Sequence, residues 1–180
     1  PKSLARRSAQ TALYQITHAM LRWMAPFLSF TAEEAWTIIG NSESVFLETY
    51  SELPAPDAAL MAKWTRLLEI RAAANKEIET LREQGQVGSS LQANLRIIAP
   101  AADLDLLKSL GDDLKFVFIT SKVELAPGDA LQIAVSPATA QKCERCWHWR
   151  DDVGSDAAHP ALCGRCSSNL YGAGETREFA

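Results

Sequence analysis

The sequence predicts a multi-part α+β chain, in which a helical region precedes a small α/β unit and a carboxyl-terminal four-cysteine ribbon. Three observations predict this order. Apolar residues recur at spacings of three and four as far as about residue 84. Short strand-like segments separated by turn residues then follow, up to about residue 135. The only four cysteines come last, as two Cys-x-x-Cys pairs. We expect three domains, at residues 1–88, 89–138 and 139–180.

The first predicted helix runs from about Leu4 to Phe27, with Pro26 ending or kinking it. Arg6 and Arg7 lie at its amino end, where the helix dipole disfavours positive charge. They form either a solvated face or a contact with a phosphate or an acidic neighbour. The helix is predicted to be amphipathic, with an apolar stripe of residues at spacings of three and four: Ala9, Leu13, Ile16, Met20 and Trp23.

Two further helices are predicted from capping signals. Thr31 followed by Glu34 matches a capping box, which predicts a helix over 32–39. Asp57 is the candidate cap of a third and longest helix, over 58–84. Gly85 ends this helix, and the stretch from 86 to 90 is predicted to be a flexible connector.

The pattern changes after this connector. Strands are predicted over 93–99, 115–125 and 130–135, and a short helix is predicted over 103–110. This mixture predicts a small α/β unit between the helices and the cysteines.

The cysteine spacing predicts a zinc site. Cys143 and Cys146 form one pair, and after sixteen intervening residues Cys163 and Cys166 form the second. Four thiolates complete a tetrahedron around Zn²⁺ and leave no position for substrate, so the zinc is expected to be structural. A segment of about forty residues buries too little apolar surface to fold without such a metal.

Alternatives to this ligand set are two disulfides, an iron–thiolate site, or replacement of one thiolate by His148 or His159. A disulfide between cysteines three residues apart is strained, and no secretion signal indicates an oxidising compartment.

The charge of the chain limits how it can bind a nucleic acid. The net charge is −4, so a nucleic-acid partner has to be bound by a local patch. From residue 141 onward there are five basic and six acidic side chains, so charge alone does not predict RNA binding. Trp147 and Trp149, flanked by Arg145 and Arg150, offer the aromatic and guanidinium surfaces on which unpaired bases stack. The alternative is that a tryptophan forms the small core of the ribbon.

Several motifs together resemble one family. Cys-Glu-Arg-Cys-Trp-His at 143–148 and His-Pro-x-Leu-Cys-Gly-Arg-Cys at 159–166 resemble the terminal zinc finger of bacterial isoleucyl-tRNA synthetases. Arg-Trp-Met-Ala-Pro-Phe-Leu-Ser-Phe-Thr-Ala-Glu-Glu at 22–34 is similar to the helical anticodon-binding domain of that family, and Val-Gly-Ser-Ser-Leu-Gln-Ala at 87–93 is similar to the exit from it.

The resemblance implies a carboxyl-terminal part of a class I aminoacyl-tRNA synthetase that joins isoleucine to its tRNA with ATP. The chain starts with Pro1 and has none of that family's catalytic signatures. We therefore expect a piece of a longer protein, inactive alone, with ATP bound only by a missing catalytic domain. The implied partners are the anticodon region of tRNA(Ile) and the rest of the synthetase. The resemblance further implies a cytoplasmic monomer that makes no contact with a membrane.

The resemblance also directs attention to candidate RNA contacts in the finger and on the long helix. They are Arg145, Trp147, Trp149, Arg150, Arg165, Arg71 and Lys76. Two alternatives stay open. One is a DNA-repair glycosylase with a related zinc finger and an amino-terminal proline nucleophile, although Lys2 stands where such enzymes carry glutamate. The other is a purely structural module that docks on the body of the synthetase.

Overall fold

The computed structural model describes residues 3–175, and these divide into two compact units at residue 57. The predicted α+β class is confirmed, with helices, a small mixed sheet and a cysteine ribbon. The helices are α1 (Leu4–Met24), α2 (Ser29–Ile38), α3 (Ala58–Glu83), α4 (Ala101–Lys108), α5 (Leu114–Phe118) and α6 (Gly164–Tyr171). The strands are β1 (Ala93–Ala99), β2 (Lys122–Pro127), β3 (Gln132–Pro137), β4 (Gln141–Lys142) and β5 (Trp149–Arg150).

The first unit is built from α1, α2 and a short 3₁₀ turn at Val45–Leu47. Its apolar core cluster consists of Leu21, Ala25, Ala32, Trp36 and Val45. The predicted apolar stripe of α1 does not form this core, because Leu13, Ile16, Met20 and Trp23 are exposed. The reason is that α2 packs on a neighbouring face of α1, the face that carries His18, Ala19 and Leu21.

The amino end of α2 also differs from the prediction. This helix begins at Ser29 rather than Ala32, and no side chain caps it. The carboxylate of Glu33 accepts hydrogen bonds from the Ser44 hydroxyl (3.0 Å) and the Val45 N–H (2.9 Å). A glutamate near this helix start therefore fastens the following turn to α2 instead of closing a capping box.

The second unit places α3 across a three-stranded sheet of order β2-β1-β3. Asp57 caps α3 as predicted, because its Oδ1 accepts the Leu60 N–H at 3.0 Å. The buried face of α3, which carries Leu67, Ile70 and Ala74, joins the core with the alternate residues of β1. These core residues account for the amphipathic pattern of the long helix.

The sheet has a mixed topology that explains one error in the predicted strands. Strand β1 has the predicted bounds and pairs parallel with β2 and antiparallel with β3. A parallel pair needs a crossover, and α4 and α5 supply it. The strand predicted over 115–125 is therefore wrong in its first half, which forms α5 with Phe118 fully buried. Ile119, at φ 56°, ends that helix just before β2.

No helix in the part of the chain from 3 to 175 is both long and apolar enough to cross a membrane.

Candidate metal centre and nucleic-acid interface

The four cysteines meet at one point in the second unit. All four sulfur atoms lie within 4.8 Å of one another, and Cys146 Sγ is 3.8 Å from Cys163 Sγ. A tetrahedron with metal–sulfur bonds of about 2.3 Å has edges of about 3.8 Å, so the sulfurs fit one zinc ion. Cys143, Cys163 and Cys166 are fully buried, which is typical of a closed structural site.

Each cysteine pair is positioned by local backbone structure. The first pair sits in a turn in which the Trp147 N–H donates to the Cys143 carbonyl at 2.9 Å. The second pair lies at the amino end of α6, where Cys163 is the N-cap and Cys166 lies in the first turn. Thiolates are stabilised there by the helix dipole and free N–H groups. The spacing thus brings one turn and one helix start to the same ion.

Two of the cysteine sulfurs accept hydrogen bonds from N–H groups nearby. The Cys163 N–H donates to Cys143 Sγ at 3.3 Å, and the Arg145 guanidinium donates to Cys166 Sγ at 3.6 Å. Burial opposes ionisation of Cys143, but backbone N–H donors lower its pKa to about 6. Burial raises the pKa of Cys146 to about 12. A divalent cation supplies the positive charge that holds all four groups as thiolates.

Neither histidine joins this cluster. His148 is buried, and its Nδ1–H donates to the Cys146 carbonyl at 3.1 Å. Its ring packs edge-on against Phe116, with ring centres 5.4 Å apart. His159 stacks on Tyr171 with ring centres 3.7 Å apart. Within residues 3–175 the one cluster suited to a metal ion is the four cysteines. The donor chemistry and geometry support one structural zinc ion.

The two tryptophans after the first cysteine pair take different environments. Trp147 is 58% exposed and has φ 63°, a left-handed backbone conformation that only glycine adopts freely. The Lys142 ammonium lies 5.6 Å from its ring centre. Trp149 is half-buried in β5. Only Trp149 lies in a strand, so the two rings do not share one strand face, and His148 between them in the chain is buried.

The finger is attached to the α/β part of the second unit by contacts that sequence reasoning missed. The Ser121 hydroxyl accepts the Trp149 N–H at 2.6 Å and donates to the Leu91 carbonyl at 2.5 Å. The Arg165 guanidinium lies 5.0 Å from the Phe116 ring centre. No local pattern marks Ser121 or Phe116, because their partners are at least 28 residues away along the chain.

The three arginines of the finger that are candidate RNA contacts differ in whether a carboxylate pairs with them. Arg150 pairs with Asp152 at 2.9 Å, and this lowers the pKa of that carboxyl. Arg165 is held by both carboxylate oxygens of Glu175, at 2.6 and 2.7 Å. Arg145 is exposed, and its guanidinium donates to Cys166 Sγ.

The two candidates on α3 also differ from each other. Arg71 is half-buried, and its Nε has no hydrogen-bond partner among the described residues. Lys76 is exposed one turn further along the helix.

A cleft of about 620 Å³ lies where the finger meets the α/β part. The finger contributes Trp149 and Arg150 to its lining, and the α/β part contributes Lys115 and Lys122. The lysines are paired with Asp112 and with Glu124 respectively, so little net positive charge faces the cleft.

Two family models match the chain. The anticodon-binding domain of tRNA ligase matches residues 1–98. The zinc finger found in FPG and IleRS matches residues 140–169, a range that contains all four cysteines.

Three relatives that align with essentially the whole chain are isoleucine–tRNA ligases. An isoleucine–tRNA ligase of Cupriavidus necator is 55% identical over 100% of this chain and 20% of its own length. That of Ralstonia pickettii is 53% identical over 100% of this chain and 20% of its own length. That of Bordetella pertussis is 54% identical over 99% of this chain and 20% of its own length. The chain thus spans about a fifth of the length of the curated relatives it matches. Because the first model covers more than half of the chain, the chain belongs to the family of anticodon-binding domains of tRNA ligases.

Proposed function

We propose that this chain is the tRNA-recognition region of an isoleucine–tRNA ligase and that it contacts the anticodon stem-loop of tRNA(Ile). Activation of isoleucine with ATP and charging of the tRNA belong to other parts of such an enzyme. The proposal includes three functional parts at residues 1–88, 89–138 and 139–180, a monomeric state and a cytoplasmic location. It rests on the two family matches together with one feature of the finger.

That feature is the exposed ring of Trp147. A large apolar side chain is held at the surface on a left-handed backbone, which costs on the order of 1 kcal/mol for a residue other than glycine. Such strain is retained where the surrounding structure imposes it, and here the turn around Cys143 does so. An exposed ring beside the ammonium of Lys142 is the combination on which unpaired bases stack.

The cysteines contribute by fixing this ring in place. With Cys143, Cys146, Cys163 and Cys166 as its ligands, the zinc ion supplies the rigidity that the small module lacks. Trp147 follows the first pair directly, so its ring direction depends on the metal-bound turn. Arg145, two residues before Trp147 in the chain, donates to Cys166 Sγ and is exposed, so its other N–H groups are available to a phosphate.

The paired charges predict how such a surface recognises RNA. Because Arg150 and Arg165 are neutralised by Asp152 and Glu175, the finger offers few free cations. We therefore propose that stacking, with a few phosphate contacts, carries the affinity, and that binding falls only shallowly with salt. The exposed Lys76 on α3 is the candidate for a further phosphate contact.

A second candidate function is structural docking, and the contacts of Ser121 and Phe116 favour it. Hydrogen bonds and ring packing join the finger to the α/β part within the same unit. A module of this kind would hold its neighbours together without contacting RNA. The two functions are compatible, but they predict different effects of removing the Trp147 ring.

The test is a binding titration of the zinc-loaded chain with transcripts of tRNA(Ile) and of an unrelated tRNA at the same salt concentration. The proposal predicts tighter binding of tRNA(Ile). It further predicts that Trp147→Ala weakens this binding by about fivefold to about 150-fold, the range for loss of one stacked base.

Tyr171→Ala is the matched control, because Tyr171 is also an exposed aromatic of the finger but stacks on His159. Equal affinity for both transcripts would count against recognition by this chain. An unchanged affinity of Trp147→Ala for tRNA(Ile) would favour docking instead.

A further inference from the structure

An aromatic ladder runs along one side of α1 in the first unit. The ring centres of Tyr14 and His18 are 4.1 Å apart, and the His18 ring meets the edge of Trp36 at 4.9 Å. Trp36 and His18 are buried, whereas Tyr14 is 64% exposed. The ladder therefore rises from the core of the unit and ends in one exposed ring.

The inner part of the ladder is held rigidly. The Arg22 guanidinium lies 4.7 Å from the Trp36 ring centre, and it donates to Glu48 and to the Ser51 hydroxyl at 2.7 and 2.8 Å. The Trp36 indole N–H donates to the Glu43 carbonyl at 3.0 Å. These contacts tie the segment after α2 to α1, so the ladder presents a preformed surface and does not need to be ordered by a ligand.

Two hollows border Tyr14. The larger, about 530 Å³, lies between α1 and the segment from Ser51 to Pro54, and its wall includes His18, Gln15 and Arg22. This volume is in the range of small-molecule binding sites. The smaller hollow, about 290 Å³, is lined by Arg7, Gln10, Thr11 and Tyr14. Tyr14 is common to both, so a ligand in either hollow contacts its ring.

The charge at this end of α1 is positive. Arg6 and Arg7 are exposed, and the first turn of the helix contains no acidic residue. No ion pair among residues 3–175 includes either arginine, unlike Arg22. Two guanidinium groups near a helix amino end, without a carboxylate partner in the described part of the chain, are electrostatically unfavourable, and an anionic ligand relieves this.

We propose that Tyr14 is a stacking platform for an unpaired base of RNA, with Arg7 contacting the adjoining phosphate. An exposed ring, a hollow beside it with some polar side chains in its lining, and the cation of Arg7 two helical turns away are the elements of single-strand binding. The hydroxyl and amide groups of Gln10, Thr11 and Gln15 supply hydrogen-bonding partners for the edge of the base. This inference rests on the proposed function, since it takes tRNA as the ligand. It concerns a unit and residues separate from the zinc module.

The experiment is a titration of the zinc-loaded 180-residue chain with a tRNA(Ile) transcript. Tyr14→Ala is expected to lower the affinity by about fivefold to about 150-fold, and Tyr14→Phe, which keeps the ring, by no more than about twofold. Tyr50→Ala is the matched control, because Tyr50 is equally exposed, at 64%, in the same unit but lines neither hollow. Arg7→Gln is expected to reduce the slope of log affinity against log salt concentration by about one.

The outcomes separate this inference from the proposed function. If the unchanged chain prefers tRNA(Ile) but Tyr14→Ala binds as tightly as Tyr50→Ala, the stacking site is refuted and the proposed function stands. If Tyr14→Phe loses as much affinity as Tyr14→Ala, stacking is also refuted. If the unchanged chain does not bind tRNA(Ile), the proposed function fails, and this site fails with it. Circular dichroism of each variant checks that α1 is intact, which is expected because the Tyr14 side chain is mostly exposed.

Discussion

Removal of zinc is expected to unfold the finger and leave the rest of the second unit folded. Within the described part of the finger, the apolar residues that pack against the cysteine cluster are Val153 and Leu162, and both are partly buried. Their burial contributes about 3 kcal/mol together at most. Structural zinc sites contribute about 10–16 kcal/mol of apparent binding free energy at neutral pH. The metal is therefore the larger contribution, and the finger is not expected to survive its loss.

Hydrogen exchange with mass spectrometry, before and after chelation, measures this directly. In the finger, the amides of Trp147 and Cys163 are protected by Cys143 through its carbonyl and its sulfur, and both should exchange as in an unfolded peptide after chelation. The amides of β1 should keep their protection, because α3 and the two neighbouring strands bury that strand.

Cys146→Ser should reproduce the effect of chelation, and Ser168→Ala on α6 is the control that leaves the ligands intact. Retained protection in the finger, with zinc shown to be absent by elemental analysis, would refute the reasoning. Loss of protection in β1 at the same time would show that the finger and the sheet unfold as one.

Two further predictions concern contacts within the second unit. Ser121→Ala removes the hydroxyl that joins Trp149 to Leu91 and should lower the free energy of unfolding by about 1–3 kcal/mol, as measured by urea denaturation. Asp103→Asn should cost at most about 1 kcal/mol near neutral pH, since the partner Arg66 is half-exposed. Arg66 lowers the pKa of Asp103, so this contribution is present above pH about 4 and is lost as the pH falls through the lowered pKa.

Both predictions have simple controls. Ser109→Ala removes a hydroxyl that bonds only within its own helix turn, to the Leu106 carbonyl, and should change stability less than Ser121→Ala. An equal loss of unfolding free energy in both variants would show that the hydrogen bonds of Ser121 stabilise the unit no more than a local one does. For Asp103, stability curves of the variant and the unchanged chain should converge at low pH. A difference that stays constant with pH would contradict the ion-pair explanation.

The metal site was the most predictable part of the molecule, because thiolate spacing alone defines which atoms can reach one ion. The four cysteines cluster as their spacing predicts. The backbone of Trp147 was not predictable, since a left-handed conformation is unusual for tryptophan and is imposed by the turn around Cys143. The strand prediction over 115–125 failed because apolar residues in a short buried helix resemble those of a strand.

The first helix shows a different limit of prediction from sequence. Its apolar periodicity was correct as a pattern, but it did not identify which face packs on α2. The buried residues around His18 mix polar and small side chains, whereas Trp23 is half-exposed at 49%. Tertiary contacts of this kind, like the bond from Trp149 to Ser121, connect residues too distant in the chain for any local signal. The Tyr14 ladder likewise became visible only once Trp36 was placed beside α1.

The central claim is that the zinc-held turn presents Trp147 to unpaired bases of tRNA(Ile). A photo-crosslinking amino acid in place of Trp147, in the zinc-loaded chain mixed with full-length tRNA(Ile), tests it most directly. The account predicts crosslinks at nucleotides of the anticodon loop, and their loss when zinc is removed. Crosslinks confined to the acceptor stem, or an equal yield with and without zinc, would contradict it.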